Sequence, residues 1–341
     1  MERVLAAAIF SMAISILAGP KLIAFLRARE YGQHIREEGP ADHAVKQGTP
    51  TMGGILFVLA AVVPFLVLSR YTAEGLTVFI VTLACGAIGF VDDYIKVTHR
   101  RSLGLAGRWK LVLLAAITVG VGWVVQDQRL AKSVYVPVLD WRIGLSFVFF
   151  ALLFLVIAGA ANGANLTDGI DGLAVGVGII ALFTFTAINM LAYIREGQLD
   201  VPVGRDAAQD LAIWGAALIG GMIGFLWFNA FPAEVFMGDT GSMAIGGALG
   251  ALAVMTKAEL LLLLIGGIFV AEALSVIVQV FSFKYYGRRL FLMAPIHHHF
   301  AMKAWSETKI MVRFWIVAGL LCAVAFALYY QYYFAGFREL R

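Results

Sequence analysis

Long apolar segments follow one another along almost the whole chain and leave few ways for it to fold. A helix that crosses the hydrocarbon of a bilayer needs about 20 mostly apolar residues. Segments of that length cover residues 4–26, 52–69, 77–94, 109–126, 144–161, 172–194, 211–229, 241–257, 260–283 and 310–334. They predict an all-α, polytopic integral membrane protein with about ten transmembrane helices.

The composition excludes an ordinary soluble domain. Only 14% of the residues are charged and 61% are hydrophobic, whereas soluble domains carry about 25% charged residues. The net charge of +4 suits lysines and arginines beside a membrane and anionic substrates, and it does not indicate a nucleic-acid partner. We interpret residues 1–341 as a single transmembrane catalytic domain.

An even number of spans places both termini on one side of the membrane and five connecting loops on the other. These five loops hold nearly every polar motif and cover residues 27–54, 92–110, 162–172, 229–242 and 284–309. With adjoining helix ends included, 16 of the 26 lysines and arginines lie on the motif-rich side. Positive charge is enriched on the cytoplasmic side of membrane proteins. We therefore predict an active-site cleft on the cytoplasmic face.

Two adjacent carboxylates, Asp92 and Asp93, end the third predicted span. Neighbouring acids at the edge of the hydrocarbon repel each other and lose hydration, so they require a cation or a shared proton. Beside a phosphate-bearing substrate, such oxygen ligands favour Mg²⁺. Lys96 follows Asp92 by about one helical turn and can share its face. Lys110 opens the fourth span, where its ammonium group can point into a cytoplasmic cavity.

The densest polar stretch is Asn162–Gly172, between the fifth and sixth spans. It contains Asp168 and Asp171 at a spacing that a helix start would place on one side. Either Asn165 or Thr167 is predicted to cap that helix, whose positive end also favours acids in the first turn. Capping does not explain all the polar groups, so we interpret the stretch as a wall of the substrate site. The role of Asp171 stays undecided between contacting the substrate and stabilising the start of the helix.

A further motif, residues 229–242, leads into the eighth span and carries Asp239 between Gly238 and Thr240. The start of a helix offers free N–H groups to an anion, and the Asp239 carboxylate offers an oxygen ligand to a metal ion. Phe236 in the same motif has two interpretations. Its ring could stack on a nucleobase or lie at the membrane interface.

Three of the six histidines are consecutive: His297, His298 and His299. Successive residues of a helix diverge by about 100°, so the three rings cannot ligate one metal ion while helical. They also lack the i, i+4 spacing of a helical zinc site. Phosphate binding and proton handling fit the motif better.

Five motifs together carry a resemblance that extends over nearly the whole chain. They are Gly48–Gly54 (GTPTMGG), Phe90–Tyr94 (FVDDY), Asn165–Gly172 (NLTDGIDG), Phe236–Ser242 (FMGDTGS) and Ala294–Phe300 (APIHHHF). The chain resembles the phospho-N-acetylmuramoyl-pentapeptide transferases, a branch of the polyprenyl-phosphate N-acetylhexosamine-1-phosphate transferases. The aspartate motifs are typical of the superfamily, and the Pro-Ile-His-His-His motif is typical of the branch. One departure is Ala301, where the family usually has Glu.

The resemblance implies a specific reaction. Phospho-MurNAc-pentapeptide would pass from UDP-MurNAc-pentapeptide to undecaprenyl phosphate, giving lipid I and UMP, the first membrane step of peptidoglycan synthesis. It also implies Mg²⁺ as cofactor and a multi-pass protein of the bacterial inner membrane whose active site faces the cytoplasm. A homodimer is a possible assembly.

Residue roles are implied in the same way. Asp239 resembles the Mg²⁺ ligand, and Asp92 and Asp93 resemble a catalytic pair in which Asp92 acts on the lipid phosphate. The implied catalytic set is Asp92, Asp93, Asp239 and His298. The implied substrate contacts are Lys46, Lys96, Lys110, Asn165, Asp168, Asp171, Asn229, Phe236, His297 and His299. Of these, Phe236 and Lys96 are expected near the uracil.

Alternatives stay open at this point. The lipid phosphate could attack the β-phosphate of the donor directly, or an aspartate could first form a phospho-enzyme. A GlcNAc-1-phosphate transferase of the same superfamily is disfavoured by the triple histidine. A proton-coupled transporter would place its acids near the bilayer midplane and contain internal repeats, whereas these acids lie at helix ends on one face.

Overall fold

The computed structural model describes residues 1–29, 48–99, 103–139, 141–199 and 201–335. Within those ranges the chain forms twelve helices and one β-hairpin. The helices are α1 (Glu2–Ala28), α2 (Gly54–Leu68), α3 (Ala73–Thr98), α4 (Gly107–Asp127), α5 (Val148–Thr167), α6 (Leu173–Gln198), α7 (Pro202–Asn229), α8 (Gly238–Met255), α9 (Leu262–Ile265), α10 (Gly267–Tyr286), α11 (Ile296–Ala301) and α12 (Glu307–Leu328). A π-helical segment, Tyr329–Ala335, continues α12.

Each of the ten predicted spans coincides with a helix, and the ninth combines α9 with α10. In the described part of the chain, eight helices are long and apolar enough to cross a membrane: α1, α3, α4, α5, α6, α7, α10 and α12. Helix α2 has only 15 residues, and α8 opens with the polar segment Gly238–Ser242. The predicted all-α, polytopic membrane protein is confirmed, while the number ten rests on these two marginal helices.

Helix α8 forms the centre of the bundle, and each of its residues from Thr240 to Met255 is buried. Glycines let the surrounding helices approach its backbone closely. A Cβ atom at Gly89 of α3 would lie 2.1 Å from the Asp239 carbonyl oxygen. A Cβ atom at Gly54 of α2 would lie 2.3 Å from the Gly241 Cα atom. The N-terminal turn of α8 is therefore held between α2 and α3, and that turn carries Asp239.

The connection between α4 and α5 contains an antiparallel hairpin that the sequence analysis did not predict. Its strands are β1 (Ser133–Val136) and β2 (Trp141–Gly144), with Ser133 opposite Gly144. The hairpin lies between the end of α4 and the start of α5, remote from the five motif-rich polar loops. It is therefore separated by the length of α4 and α5 from the polar loops at the other ends of these helices.

The predicted helix cap in the central polar stretch is wrong. Helix α5 continues through residue 167, so Asn165 and Thr167 lie in its last turn and do not precede α6. Thr167 Oγ1 donates a hydrogen bond to the Gly163 carbonyl (2.8 Å), and Asn165 Nδ2 donates to Ser242 Oγ (3.0 Å). These bonds satisfy polar groups inside the bundle, so the helix can extend past the apolar segment. The residue before α6 is Gly172, whose φ of +73° suits glycine.

Candidate active site

Two lysines bridge two aspartates where the C-terminal part of α3 meets the starts of α4 and α8. Lys96 Nζ lies 2.5 Å from Asp92 Oδ2 and 3.1 Å from Asp239 Oδ2. Lys110 Nζ lies 2.9 Å from Asp92 Oδ1 and 2.8 Å from Asp239 Oδ2. The predicted shared face of Asp92 and Lys96 is confirmed. We refer to Asp92, Asp93, Asp239 and these two lysines as the carboxylate cluster.

Asp93 has a different environment from Asp92, although the two are neighbours in sequence. Its Oδ1 atom accepts the Asp239 N–H (3.1 Å). Its Oδ2 atom accepts the N–H (2.9 Å) and the hydroxyl (2.7 Å) of Thr240. The first N–H groups of a helix lack partners within the helix, and Asp93 supplies them from α3. It therefore fixes the start of α8, and with it Asp239, against α3.

The donor atoms of the carboxylate cluster fit a hard divalent cation. Asp92, Asp93 and Asp239 each offer a carboxylate oxygen, and these oxygens lie within 4.8 Å of one another. Oxygen ligands of this kind are those that Mg²⁺ prefers. The two lysines offset two of the three negative charges. One negative charge therefore stays uncompensated within the cluster, which favours a further cation.

Asp168 lies beside this cluster, in the turn between α5 and α6. Burial raises the pKa of its carboxyl group well above the ordinary value. The negative charges of Asp239, Asp93 and Asp171 raise this pKa further. The Gly238 N–H donates to the carboxylate and opposes the shift in pKa. Because the neighbouring negative charges favour the protonated acid, a cation in the cluster would favour its ionised form.

Asp171 and Asn229 hold two polar loops together. Asp171 Oδ2 accepts the N–H of Ala233 (3.0 Å). Asn229 Oδ1 accepts the N–H of Gly172 (3.1 Å), and its Nδ2 donates to the Val235 carbonyl (2.9 Å). Both side chains are buried. The turn before α6 is thereby joined to the loop before α8, and the substrate contacts expected of these two residues stay predictions.

Phe236 belongs to a segment that pairs with the residues before α2. Its N–H donates to the Pro50 carbonyl (2.8 Å), and its carbonyl accepts the Gly53 N–H (2.9 Å). The Gly54 N–H donates to the Met237 carbonyl (2.9 Å). These bonds hold the segment that leads into α8, with the half-buried Phe236 side chain, against the residues before α2. Lys46, predicted as a substrate contact, lies outside the described residues.

The histidine motif forms the short helix α11, and its three side chains have different partners. His297 is fully buried, and its Nδ1 atom lies 3.1 Å from Glu272 Oε1 in α10. Its backbone N–H donates to Glu272 Oε2 (3.4 Å). His299 Nδ1 accepts the N–H of Leu292 (3.1 Å), and the ring of His298 lies 4.1 Å from that of His297. The three rings therefore do not converge on one metal ion.

Known proteins match this chain along almost its entire length. Glycosyl transferase family 4 matches residues 75–257, and the phospho-N-acetylmuramoyl-pentapeptide-transferase signature 1 matches residues 46–58. A phospho-N-acetylmuramoyl-pentapeptide-transferase of Rubrobacter xylanophilus is 43% identical over 343 residues, covering 98% of this chain and 100% of the relative. A phospho-N-acetylmuramoyl-pentapeptide-transferase of Bacillus subtilis is 45% identical over 315 residues, covering 91% of this chain and 93% of the relative. The chain belongs to the phospho-N-acetylmuramoyl-pentapeptide transferase family.

The membership confirms the resemblance found in the motifs and decides against a transporter. The region shared with glycosyl transferase family 4, residues 75–257, contains the whole carboxylate cluster. The histidine motif lies beyond that region. The signature at residues 46–58 begins at Lys46 and includes the segment that pairs with Phe236. The region matched by glycosyl transferase family 4 thus includes the charged centre and does not include the histidine motif.

Glu272 is a residue of this transferase that the sequence analysis missed. It is fully buried in α10, and an acid within a predicted span was the signal that could have identified it. Gly169 explains how His297 reaches the central turn, because a Cβ atom there would lie 2.4 Å from His297 Nε2. The structure therefore connects Glu272, His297 and the turn that carries Asp168.

Proposed function

We propose that the protein transfers phospho-MurNAc-pentapeptide from UDP-MurNAc-pentapeptide to undecaprenyl phosphate, releasing UMP and forming lipid I. The carboxylate cluster, at one end of a bundle of membrane helices, is the observation that carries this proposal. A lipid acceptor requires a site that it can enter from the bilayer, whereas a nucleotide-sugar donor requires a mouth open to water. Family membership supports the choice of both substrates.

Mg²⁺ is proposed as the cofactor, with Asp239 as its principal ligand and Asp92 beside it. Asp92 and Asp239 face each other across the two lysine ammonium groups. Asp93 is less suited as the main ligand because both its oxygens already accept hydrogen bonds from the start of α8. Charge neutralisation of the donor diphosphate is the chemistry that Mg²⁺ supplies when bound.

The lysines are proposed to exchange partners during binding. Lys96 and Lys110 now neutralise Asp92 and Asp239, and a compact ammonium group can equally hold phosphate oxygens. A cation held by Asp92 and Asp239 would leave the two lysines available to the phosphates of the two substrates. Lys96 is the more exposed of the two, at 32% against 16%. It is therefore the better placed to meet the incoming donor, including the part near the uracil.

The reaction is proposed to be a direct displacement. A phosphate monoester has a second pKa near 6, so the lipid phosphate carries an ionised oxygen at neutral pH. That oxygen forms a bond to the β-phosphorus of the donor, while the bond from this phosphorus to the bridging oxygen breaks and UMP leaves. Because no proton has to be removed, Asp92 orients the two lysines and need not act as a base. Positioning and charge stabilisation account for the catalysis.

The test uses the purified full-length protein in detergent with undecaprenyl phosphate and Mg²⁺. UMP release is measured with UDP-MurNAc-pentapeptide and, in parallel, with UDP-GlcNAc. We expect release with the first donor only. Release with UDP-GlcNAc alone would refute the proposed substrate. Omitting the lipid acceptor tests the mechanism, since a labelled phospho-sugar trapped on the protein would refute the direct displacement.

The site is proposed to face the cytoplasm. The two cysteines, Cys85 and Cys322, are buried, so a cysteine introduced at an exposed position reports on its own side. Lys303→Cys lies beside the histidine motif, and Arg129→Cys lies at the other end of α4. In intact cells, a membrane-impermeant maleimide should label Arg129→Cys and leave Lys303→Cys unlabelled. The reverse pattern would refute this orientation.

A further inference from the structure

A second charged cavity lies at the ends of the helices remote from the carboxylate cluster. It has a volume of about 410 Å³ and is bounded by the start of α1, the loop after α2, the end of α6 and the start of α7. Three arginines line it: Arg3, Arg70 and Arg205. Two acids also line it, Glu2 and Asp206. Positive groups therefore outnumber negative ones among its side chains.

The three arginines differ in how they are engaged. Arg70 pairs with Asp206, with Nε 3.3 Å from Oδ1 and Nη1 3.4 Å from Oδ2. Arg205 donates through Nη2 to the Tyr193 hydroxyl (2.8 Å), and its guanidinium carbon lies 4.7 Å from the centre of that ring.

Arg3 donates only one long hydrogen bond, 3.5 Å, to the Leu68 carbonyl. Among the described residues, neither Arg3 nor Arg205 has a carboxylate within ion-pairing distance. Stacking on an aromatic ring fixes the plane of a guanidinium group and leaves its remaining N–H donors directed outward. Arg205 is thus a preoriented cation at the cavity, and Arg3 adds a second cation that has N–H donors to spare. Guanidinium groups in this state bind phosphate through paired hydrogen bonds.

The position of the cavity makes these arginines unusual. It lies on the side opposite the polar loops, where the charge bias of membrane proteins disfavours lysine and arginine. Three of the lysines and arginines on that side are gathered in this one cavity. An ion pair with Asp206 accounts for Arg70 alone.

An apolar stripe leads from the cavity along α1, a helix that is long and apolar enough to cross the membrane. Met1 lines the cavity, and Leu5 and Ile9 follow at four-residue intervals, which places the three on one helix face. Their side chains are 69%, 61% and 60% exposed. A free phosphate ion would make no contact with this apolar surface, whereas the acyl chains of a bound phospholipid would cover it within the bilayer.

We propose that this cavity binds the phosphate headgroup of an anionic phospholipid in the leaflet opposite the active site. Arg3 and Arg205 donate hydrogen bonds to the phosphate oxygens, while Arg70 neutralises Asp206. The acyl chains lie along Met1, Leu5 and Ile9. A phosphodiester carries one negative charge, and the arginine side chains of the cavity outnumber its acidic side chains.

Native mass spectrometry of the detergent-purified full chain tests the proposal. Phosphatidylglycerol, phosphatidylcholine and inorganic phosphate are added separately, and bound copies are counted. The test variant is Arg3→Gln with Arg205→Gln. The matched control is Arg129→Gln with Arg142→Gln, two arginines on the same side outside the cavity. We expect phosphatidylglycerol to bind the test variant about tenfold more weakly than the wild type, because two charged hydrogen-bond donors are lost. The control should bind it as the wild type does.

Three outcomes would overturn the proposal. The first is that the test and control variants lose phosphatidylglycerol to the same extent. The second is that the wild type binds phosphatidylcholine as tightly as phosphatidylglycerol. The third is that inorganic phosphate displaces the lipid when both are at the same concentration. If the double variant does not fold, as judged by its thermal unfolding, Arg3→Gln alone replaces it, because Arg3 makes only the one long contact to Leu68. We expect that single variant to show a smaller loss in the same direction.

Discussion

The carboxylate cluster and the histidine motif are both polar sites inside apolar helices, but their charges are arranged differently. In the cluster, two lysines from different helices share two aspartates, so each charge has more than one partner. In the histidine motif, one buried glutamate contacts one buried histidine. Shared partners allow charges to be exchanged with substrates, whereas a single buried contact fixes the orientation of a ring. The first arrangement suits chemistry and the second suits positioning.

The largest effect is expected from Asp239→Asn. This change removes the charge that both lysines contact and the principal proposed metal ligand, so UMP release should fall by about a thousandfold or more. Added Mg²⁺ should not restore it. Asp127→Asn, at the far end of α4, is the matched control and should retain activity. Near-normal turnover of Asp239→Asn would show that the cluster is not the catalytic centre.

Asp93→Ala is expected to have the next largest effect, and to lower stability as well. The N–H groups at the start of α8 would lose their acceptor, which costs about 1–2 kcal/mol of unfolding free energy. Displacement of Asp239 should reduce UMP release by about a hundredfold. Thermal unfolding and activity are measured together, with Thr240→Val as a milder variant that removes one hydroxyl donor. Loss of activity with an unchanged unfolding midpoint would mean that Asp93 acts on the substrates and not on α8.

Glu272→Gln tests the positioning assigned to the histidine motif. Carboxylates that orient metal-bound histidines are typically worth about 10- to 100-fold in activity. We expect a loss near the lower end here, because His297 contacts none of the proposed metal ligands among the described residues and because glutamine keeps one acceptor. Glu259→Gln provides the control, since Glu259 is also buried but pairs with Lys257 at the other end of α8. If both variants lose activity equally, the loss reflects the removal of a buried acid in general and not the contact of Glu272 with His297.

The smallest effect is expected for Asp168→Asn, and it depends on pH. Because the folded-state pKa of Asp168 is raised, the wild type loses stability as the pH rises above about 4, the ordinary carboxyl range. The asparagine variant has no such loss, so its advantage in unfolding midpoint should grow with pH. Mg²⁺ should reduce the advantage by offsetting the neighbouring negative charges. An advantage that does not change with pH would contradict the raised pKa.

Local features of the sequence predicted a good part of this molecule. The lengths of the apolar segments placed every helix that corresponds to a span, because burial in hydrocarbon depends on each segment separately. The spacing of Asp92 and Lys96 predicted their contact, since residues four apart share a helix face. Prediction failed at Asn165 and Thr167 because their hydrogen bonds, to Ser242 and to the Gly163 carbonyl, allow α5 to continue.

The sequence by itself determined that the chain is an all-α membrane protein, and it predicted which acids carry the chemistry. Only the tertiary structure decided that Asp93 caps α8 and that Lys96 joins Asp92 to Asp239. It also decided that Lys110 reaches Asp239 and that Glu272 contacts His297. The physical reason is range. Hydrophobicity and helical spacing act within a segment, whereas these contacts depend on how closely helices approach, as at Gly89 beside the Asp239 carbonyl.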